Sequence, residues 1–335
     1  MKQPLRIGLV GAGWVTAHHL AGWRALEGRA TVVAIADPNT ANAHARAQEH
    51  GIAQVFDSAQ AMFDGTLLDA VDVAAPREFH AAIVRQAARR GLAVLCQKPL
   101  APTLDQAQAL VDEVAPQCRL MVHENWRFRP YYRDLAGWLA EGRIGSVQQA
   151  SMTLLTSGLL PDAEGRLPAL QRQPFLAQLD RALVMEILIH HIDTLRYLLG
   201  ELTLVHARLG RSSAAMRGED RAFLSFETES QAPVALLANL SVHGRPPAVA
   251  DRLTLVGSDG SIELEGDTLR CFGARPAELR YDLAESYAAS YAATIAHFVD
   301  SLHRDSGFET SPADNLRSLA LVEAAYRQAG LEQHA

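Results

Sequence analysis

A glycine turn placed directly after the first apolar stretch is the feature that most constrains this chain. The stretch LRIGLV leads into Gly11-Ala12-Gly13, a helical stretch follows, and Asp37 ends the next apolar stretch. A strand, a glycine turn, a helix and an acidic residue after the second strand are typical of a dinucleotide-binding βαβ unit. The sequence therefore predicts a parallel sheet with crossover helices at the N-terminus. Taken alone, a glycine pair after a strand is a plain tight turn about as often as it is a dinucleotide-binding turn.

The residues of the turn have distinct expected roles. Gly11 permits the tight turn, and Gly13 lets backbone amides approach a pyrophosphate at the positive end of the helix. Trp14 and Val15 complete the loop and are expected to contact the cofactor. Thr16 replaces the usual third glycine or alanine, which predicts slightly looser packing of the helix on the strand.

Asp37 predicts which dinucleotide is bound. Its carboxylate can accept hydrogen bonds from the adenosine ribose hydroxyls, and it repels the 2′-phosphate of NADP. The expected cofactor is therefore NAD, with NADP less favoured.

The 335 residues are too many for one ordinary core and predict two domains. Residues 1–124 alternate short apolar runs with alanine-rich helical stretches, which predicts an α/β Rossmann domain. The predicted strands are Leu5–Val10, Thr31–Ala36, Ala70–Ala74, Ala93–Leu95 and Leu120–Val122. The predicted helices are Ala41–His50, Phe79–Arg90 and Leu104–Val114.

Residues 125–335 change to longer alternating strands and predict an α+β domain with a large, mostly antiparallel open sheet. The predicted strands are Val147–Ser157, Leu202–Leu209, Arg221–Glu227, Val234–Val242, Arg252–Val256 and Ser261–Leu264, the last two joined by a hairpin turn. The predicted helices are Tyr131–Ala140, Arg181–Leu199, Ala288–Arg304 and Ala313–Gln328. The stretch Gly158–Leu179 predicts a long loop.

Charge and composition exclude several classes of protein. A net charge of −7 offers no basic face for nucleic acid, and no apolar stretch reaches the roughly 18 residues of a membrane span. Three widely spaced cysteines predict reduced thiols, and the N-terminus has no signal-peptide pattern. We expect a soluble, cytoplasmic protein without nucleic-acid or membrane partners.

Polar residues follow two neighbouring predicted strands. Ala75, Pro76 and His80 follow one strand, and Gln97 and Lys98 follow the next. Ligands collect at this edge of open α/β sheets, so these residues are expected at the cofactor. His80 either caps its helix or lies near the nicotinamide.

A second constellation lies on a predicted helix. Glu186, His190 and Asp193 are spaced four and three apart and are predicted to share one face. His191 diverges from His190 by about 100 degrees, so both cannot easily ligate one metal ion, and no metal is expected.

The chain resembles the Gfo/Idh/MocA oxidoreductases, named for glucose-fructose oxidoreductase, inositol dehydrogenase and the rhizopine catabolism protein. The segments GLVGAGWV, AAPREFH, LCQKPLAPT, HENWRF and EILIHHIDTLRYLLG follow the family's order and spacing. The resemblance implies an NAD-dependent dehydrogenase of a monosaccharide, aldose or cyclic polyol.

The family's Glu-Lys-Pro signature matches Gln97-Lys98-Pro99. The resemblance implies that Lys98 is the active-site lysine and that its bond to Pro99 is cis. Gln97 departs from the family's glutamate, so any ion pair of that glutamate is absent here.

The family's acid-x-x-x-His pair matches Glu186 and His190, which implies that His190 is the general base and that Glu186 orients a substrate hydroxyl. Leu188 stands where many members have glycine. Asn125 and Arg127 would open the second domain, where they either bind substrate hydroxyls or a carboxylate or make salt bridges between the domains.

Other functions stay open on this sequence. Hydride can run the other way, onto a keto-sugar or related acceptor, and some relatives are non-catalytic NAD-sensing regulators. Hydrolysis through transient NAD redox, as in some glycosidases, is a third alternative. The large sheet has helices for only one face, which predicts a homodimer or homotetramer through the C-terminal sheet.

Overall fold

The computed structural model describes residues 3–26, 28–248 and 250–331. The chain packs as two units: the first comprises the residues up to Phe128 together with Tyr287–Leu319, and the second comprises Arg129–Ser286 together with the residues after Leu319. This grouping differs from the predicted division at 124/125, in which 125–335 formed one domain. Residues 287–319 join the first unit because Ile295 and Phe298 pack in the same apolar cluster as Ile7. Residues 1, 2 and 332–335 of the predicted domains lie outside the described residues.

Six described strands of the first unit form one parallel sheet. They are β1 (Leu5–Val10), β2 (Ala30–Ala36), β3 (Gln54–Phe56), β4 (Ala70–Val73), β5 (Ala93–Gln97) and β6 (Leu120–His123). Their spatial order is β3-β2-β1-β4-β5-β6, and every neighbouring pair is parallel. This is the strand order of the Rossmann fold, whose topological switch lies between β1 and β4, so the predicted α/β domain is confirmed.

Helices connect these strands. They are α1 (Thr16–Arg24), α2 (Thr40–His50), α3 (Ala59–Gly65), α4 (Arg77–Ala88) and α5 (Leu104–Val114). Side-chain caps fix three of their starts: Asn39 accepts from the backbone N–H of Asn42, Ser58 from that of Ala61, and Thr103 from that of Gln106. All four residues of β4 are buried, as expected for a strand with helices on both faces of its sheet.

The second unit contains a sheet of eight described strands. They are β7 (Val147–Leu155), β8 (Leu202–Gly210), β9 (Arg221–Thr228), β10 (Pro233–Asn239), β11 (Arg252–Gly257), β12 (Gly260–Glu265), β13 (Thr268–Gly273) and β14 (Ala277–Arg280). Their order is β14-β13-β12-β11-β7-β10-β9-β8, with only β7 and β10 parallel. The predicted hairpin is present, with Val256 opposite Ser261. The predicted large, mostly antiparallel sheet is confirmed.

Further helices are α6 (Pro130–Ala140), α7 (Pro168–Arg172), α8 (Ile189–Leu199), α9 (Leu283–Arg304) and α10 (Pro312–Gln328). The predicted loop Gly158–Leu179 contains α7 and a 3₁₀ turn, Pro174–Gln178. Across the described ranges, none of the helices is both long enough and apolar enough to traverse a bilayer. The three cysteines are free thiols, as predicted.

Candidate functional site

The glycine turn connects β1 to α1. Gly11 has a φ of 113°, and a Cβ atom there would lie 2.5 Å from the carbonyl oxygen of Ala74. The position therefore requires glycine for both conformation and space. Gly13 differs, because a Cβ atom there would meet nothing within 4 Å. The protein itself does not require a glycine at 13, but a ligand that approaches the backbone would.

Thr16 supports the turn from the first residue of α1. Its side chain is buried, and its hydroxyl donates to the carbonyl oxygen of Gly11 at 3.1 Å. This bond links the helix start to the turn, so it counters the looser packing predicted for a threonine at this position.

Asp37 braces the same turn from the end of β2. Its carboxylate accepts from the backbone N–H of Ala12 and from that of Asn39, each at 2.7 Å. Asp37 stands where an adenosine ribose is bound in Rossmann folds, so it combines the predicted ligand position with a structural role that the sequence did not reveal.

Aromatic and basic side chains lie beside the turn. Trp14 is 46% exposed and its ring contacts that of His18, which also contacts Tyr287. Burial, with repulsion from His19 and Arg46, lowers the pKa of His18. The guanidinium of Arg46 on α2 lies 3.5 Å from the carbonyl oxygen of Gly13, a neighbour that the sequence motif did not indicate.

Val15 and Pro76 are positioned by the starts of two helices. Val15 is the N-cap residue of α1 and Pro76 that of α4. Neither shows a side-chain cap hydrogen bond. Their contact with the cofactor stays a prediction.

His80 joins the segments that follow β4 and β5. It is buried on α4, with Nδ1 2.9 Å from the carbonyl oxygen of Pro99 and Nε2 2.8 Å from that of Ala75. The ring therefore lies within hydrogen-bonding distance of both loops, a position that neither of its two predicted roles specified.

Lys98 follows β5 at the carboxyl edge of the sheet. Its bond to Pro99 is cis, as the resemblance implies, and its side chain is partly exposed. Its backbone N–H donates to Oε1 of Gln97 at 3.0 Å, and Nε2 of Gln97 lies 2.9 Å from Nε2 of His19.

Asn125 and Arg127 are buried in the first unit. Asn125 donates to the hydroxyl of Ser290 at 2.8 Å, and Arg127 donates to Asp314 at 2.7 Å. Both partners belong to the same unit, so each side chain has a structural contact there. Their role in substrate binding stays a prediction.

The segment that carries Glu186 and His190 belongs to the second unit. The predicted single α-helix Arg181–Leu199 is wrong in its first part, because Leu183–Leu188 forms a π-helical turn that leads into α8. Glu186 lies in the π turn and is partly exposed, whereas His190 lies in α8 and is 8% exposed. Their i,i+4 spacing therefore crosses a change of helix type, and π turns are frequent at functional sites.

A buried carboxylate secures the start of this π turn. Glu219 accepts from the backbone N–H groups of Ala182 and Val184 at 3.2 and 2.9 Å and from the hydroxyl of Tyr326. The same hydroxyl lies 3.2 Å from the backbone nitrogen of Met185. These acceptors satisfy N–H groups that have no partner within the first helical turn.

His191 points into a buried ionic cluster. Its Nε2 lies 2.9 Å from Asp251, which also accepts from the hydroxyl of Tyr132 at 2.8 Å and from Arg129 at 3.3 Å. Burial alone would raise the pKa of Asp251, but His191 and Arg129 outweigh it and hold that pKa well below the usual range. Among the described residues, no three His, Cys, Asp or Glu side chains are grouped to hold a metal ion.

The first unit thus has the strand order, glycine turn and β2 carboxylate of a dinucleotide-binding domain. The model of an oxidoreductase family with an NAD-binding Rossmann fold matches residues 5–124, and the model of the GFO/IDH/MocA C-terminal domain matches residues 132–263. The chain belongs to the GFO/IDH/MocA family and is an NAD(P)-dependent oxidoreductase acting on CH–OH groups.

Individual relatives match over nearly the full length. D-apiose dehydrogenase of Paraburkholderia graminis is 32% identical, over 96% of this chain and 86% of the relative. Inositol 2-dehydrogenase of Rhizobium meliloti is 27% identical, over 96% of each chain. The solved structure of an oxidoreductase from Agrobacterium radiobacter in complex with NAD⁺, L-tartaric acid and magnesium has a TM-score of 0.89 at 27% identity, over 98% of this chain and 97% of that one.

Proposed function

We propose that the chain is an NAD-dependent dehydrogenase that oxidises a secondary or anomeric hydroxyl of a monosaccharide, an aldose or a cyclic polyol. One observation carries the proposal: a chain similar to D-apiose dehydrogenase over 96% of its length has Lys98, Glu186 and His190 at the positions of the family's motifs. The first unit would bind the cofactor and the second the substrate.

The described residues fit NAD. Gly13 leaves space at the backbone, α1 begins beside it, and Asp37 presents a carboxylate at the end of β2. These features suit a pyrophosphate and a ribose diol. When bound, the nicotinamide supplies the hydride acceptor.

Side chains of this protein would accept the proton of the substrate hydroxyl and stabilise the negative charge that develops on its oxygen. His190 accepts the hydroxyl proton, since an imidazole titrates near neutral pH. Lys98 stabilises the developing alkoxide through its ammonium group. Glu186 accepts a hydrogen bond from a neighbouring hydroxyl and so orients the ring.

The test is NADH absorbance with a panel that includes D-apiose, myo-inositol and common aldoses. We expect turnover with at least one sugar, and a loss of about 10²-fold or more in kcat for Lys98→Met and for His190→Asn. His44→Gln is a matched control, since His44 is exposed on α2. Tight NADH binding without any turnover would instead support a regulator, and turnover only of keto-sugars with NADH would support a reductase.

We further propose a cytoplasmic homodimer or homotetramer that assembles through the face of the large sheet on which Phe223, Leu237, Val256 and Phe272 lie, here called the outer face. Phe223 lies opposite Leu237, and Val256 and Phe272 both lie opposite Ser261. Phe223 and Phe272 are 40% and 45% exposed, which favours burial against another copy. Three free thiols suit a reducing compartment.

A further inference from the structure

A hydrogen-bonded chain of groups runs from β4 to the backbone of Lys98. Oδ2 of Asp72 lies 2.8 Å from Nδ1 of His19, Nε2 of His19 lies 2.9 Å from Nε2 of Gln97, and Oε1 of Gln97 accepts from Lys98 N–H at 3.0 Å. Asp72 and His19 are fully buried, and Gln97 nearly so. All four residues belong to the first unit.

The backbone of Lys98 fixes the orientation of the Gln97 amide. A backbone N–H can only donate, so it must face the carbonyl oxygen of the glutamine side chain. The NH₂ group of Gln97 then faces His19. It also lies 3.5 Å from Nδ1 of His123, a weaker contact.

That orientation fixes the protonation of His19. Because Nε2 of His19 faces an NH₂ group, it must present a lone pair. Nδ1 faces the carboxylate of Asp72 and therefore carries the proton. A doubly protonated imidazolium would place an N–H against the NH₂ group, so the contacts require the neutral ring with its proton on Nδ1.

Other titratable groups surround this chain. The ring of His123 lies 4.3 Å from that of His19, the ring of Tyr291 lies 5.4 Å away, and His18 is the preceding residue of α1. Trp23 donates to the same oxygen of Asp72 at 2.7 Å, so two donors converge on it. Burial, then the charge of Asp72, raises the pKa of Cys96, which stays a neutral thiol.

We propose that His19, together with Asp72, is a positioning residue for Lys98. The neutral ring holds Gln97 in one orientation, and Gln97 holds the backbone of Lys98, from which the amine extends. This inference rests on the proposed role of Lys98 in the reaction.

The same geometry explains how the chain accommodates glutamine where the family has glutamate. In Gln97→Glu one carboxylate oxygen would accept from Lys98 and the other would face Nε2 of His19. That nitrogen would then take up a proton from solvent. The added negative charge is matched by the added proton, so the net charge of the three side chains does not change.

Nitrogen-15 NMR of the full chain with ¹⁵N-labelled histidine tests the protonation directly. The His19 signal is assigned by its loss in His19→Gln. We expect Nδ1 protonated and Nε2 bare in the wild type, and both nitrogens protonated in Gln97→Glu at neutral pH. Either of two results would overturn the proposal: a proton on Nε2 of His19 in the wild type, or an Nε2 that stays unprotonated in Gln97→Glu.

Kinetics with NAD⁺ and D-apiose, or the sugar that the panel identifies, test the positioning role. We expect His19→Phe to lower kcat at least tenfold, with NADH affinity within twofold, and His19→Gln to restore part of the rate because its amide offers a donor and an acceptor. In a Lys98→Met background His19→Phe should have no further effect. An equal loss in that background would overturn the positioning role.

The two hypotheses fail separately. Full activity of Lys98→Met would refute the proposed function and leave the NMR result standing. If no sugar turns over, the NMR measurement still decides the protonation of His19 and with it the proposed chain. Thermal unfolding of each variant shows whether a lost rate reflects a lost fold.

Discussion

At the scale of single residues, the two glycines of the turn are required for different reasons. Gly11 is enclosed by protein and has a positive φ, whereas Gly13 faces open space. The sequence motif treats them alike, as a spacing of letters. Only the structure separates the glycine that the fold needs from the one that a ligand would need.

Substitution by alanine distinguishes the two positions. Gly11→Ala should lower the free energy of unfolding by about 1–3 kcal/mol or more, because the methyl group meets the carbonyl of Ala74 in a strained conformation. Gly13→Ala should change it by less than about 1 kcal/mol and weaken NADH binding instead. Urea unfolding and NADH titration measure both. Equal destabilisation by the two substitutions would contradict this reading.

The proposed preference for NAD over NADP also rests on a single residue. If it holds, Asp37→Ser should reduce that preference by about tenfold or more, since the substitution removes the carboxylate that would repel the 2′-phosphate. The ratio of kcat/KM for the two cofactors measures it. Asp57→Ser, at an acidic residue after β3, is the control. An unchanged ratio in Asp37→Ser would show that Asp37 serves only to brace Ala12 and Asn39.

At the scale of elements, Asp251 connects three parts of the second unit. It precedes β11 and binds His191 on α8 and Tyr132 on α6. Its pKa is lowered in the fold, so its ionised form stabilises the native state above the unfolded pKa of about 3.9. That contribution is lost as the pH falls through the folded pKa.

Asp251→Asn should therefore destabilise the protein by about 3–5 kcal/mol at neutral pH, because it removes the buried negative charge that both Arg129 and His191 face. It should also flatten the loss of stability below about pH 4. Urea unfolding between pH 7 and pH 3 measures both. Asp69→Asn, which removes a more exposed pair with Arg6, should cost at most about 1 kcal/mol. A similar cost for both variants would contradict the central role of Asp251.

The bounds of helices and strands with a strong apolar periodicity could be predicted from the sequence. Elements with a weak periodicity could not be predicted. Strand β1 and helix α5 were predicted to the residue, because each has a clear pattern and a turn or cap at its boundary. Strand β3 has three residues and β14 is largely exposed, so neither has a detectable pattern. The π turn was missed because it differs from an α-helix only in having about one more residue per turn. In a buried and mostly apolar segment that difference does not change which residue types are present.

Candidate site residues could be named from the sequence only where they lie within one short motif. Gly11, Asp37 and Lys98 follow strands in short, readable segments. The contact of His19 with Asp72 spans 53 residues, and Glu219 reaches the π turn from a distant segment. Such pairings depend on the packing of the elements, which spacing along one chain does not encode.

At the scale of the whole molecule, the outer face predicts assembly. Phe223→Asp combined with Phe272→Asp should lower the oligomeric state, because two charges would be buried at the interface. Light scattering at micromolar concentration measures it. A wild-type monomer would refute the proposed assembly. Glu263→Lys changes a charge on a more polar part of the same face, so it tests whether a change of charge by itself lowers the oligomeric state.

The imidazole of His80 has a mechanical consequence. Both carbonyl oxygens only accept, so the ring donates to Ala75 and Pro99 at once only when each of its nitrogens carries a proton. In that doubly protonated form it would couple the lysine-bearing turn to the start of α4, whereas a neutral ring would hold one of the two crossover loops and let the other move separately.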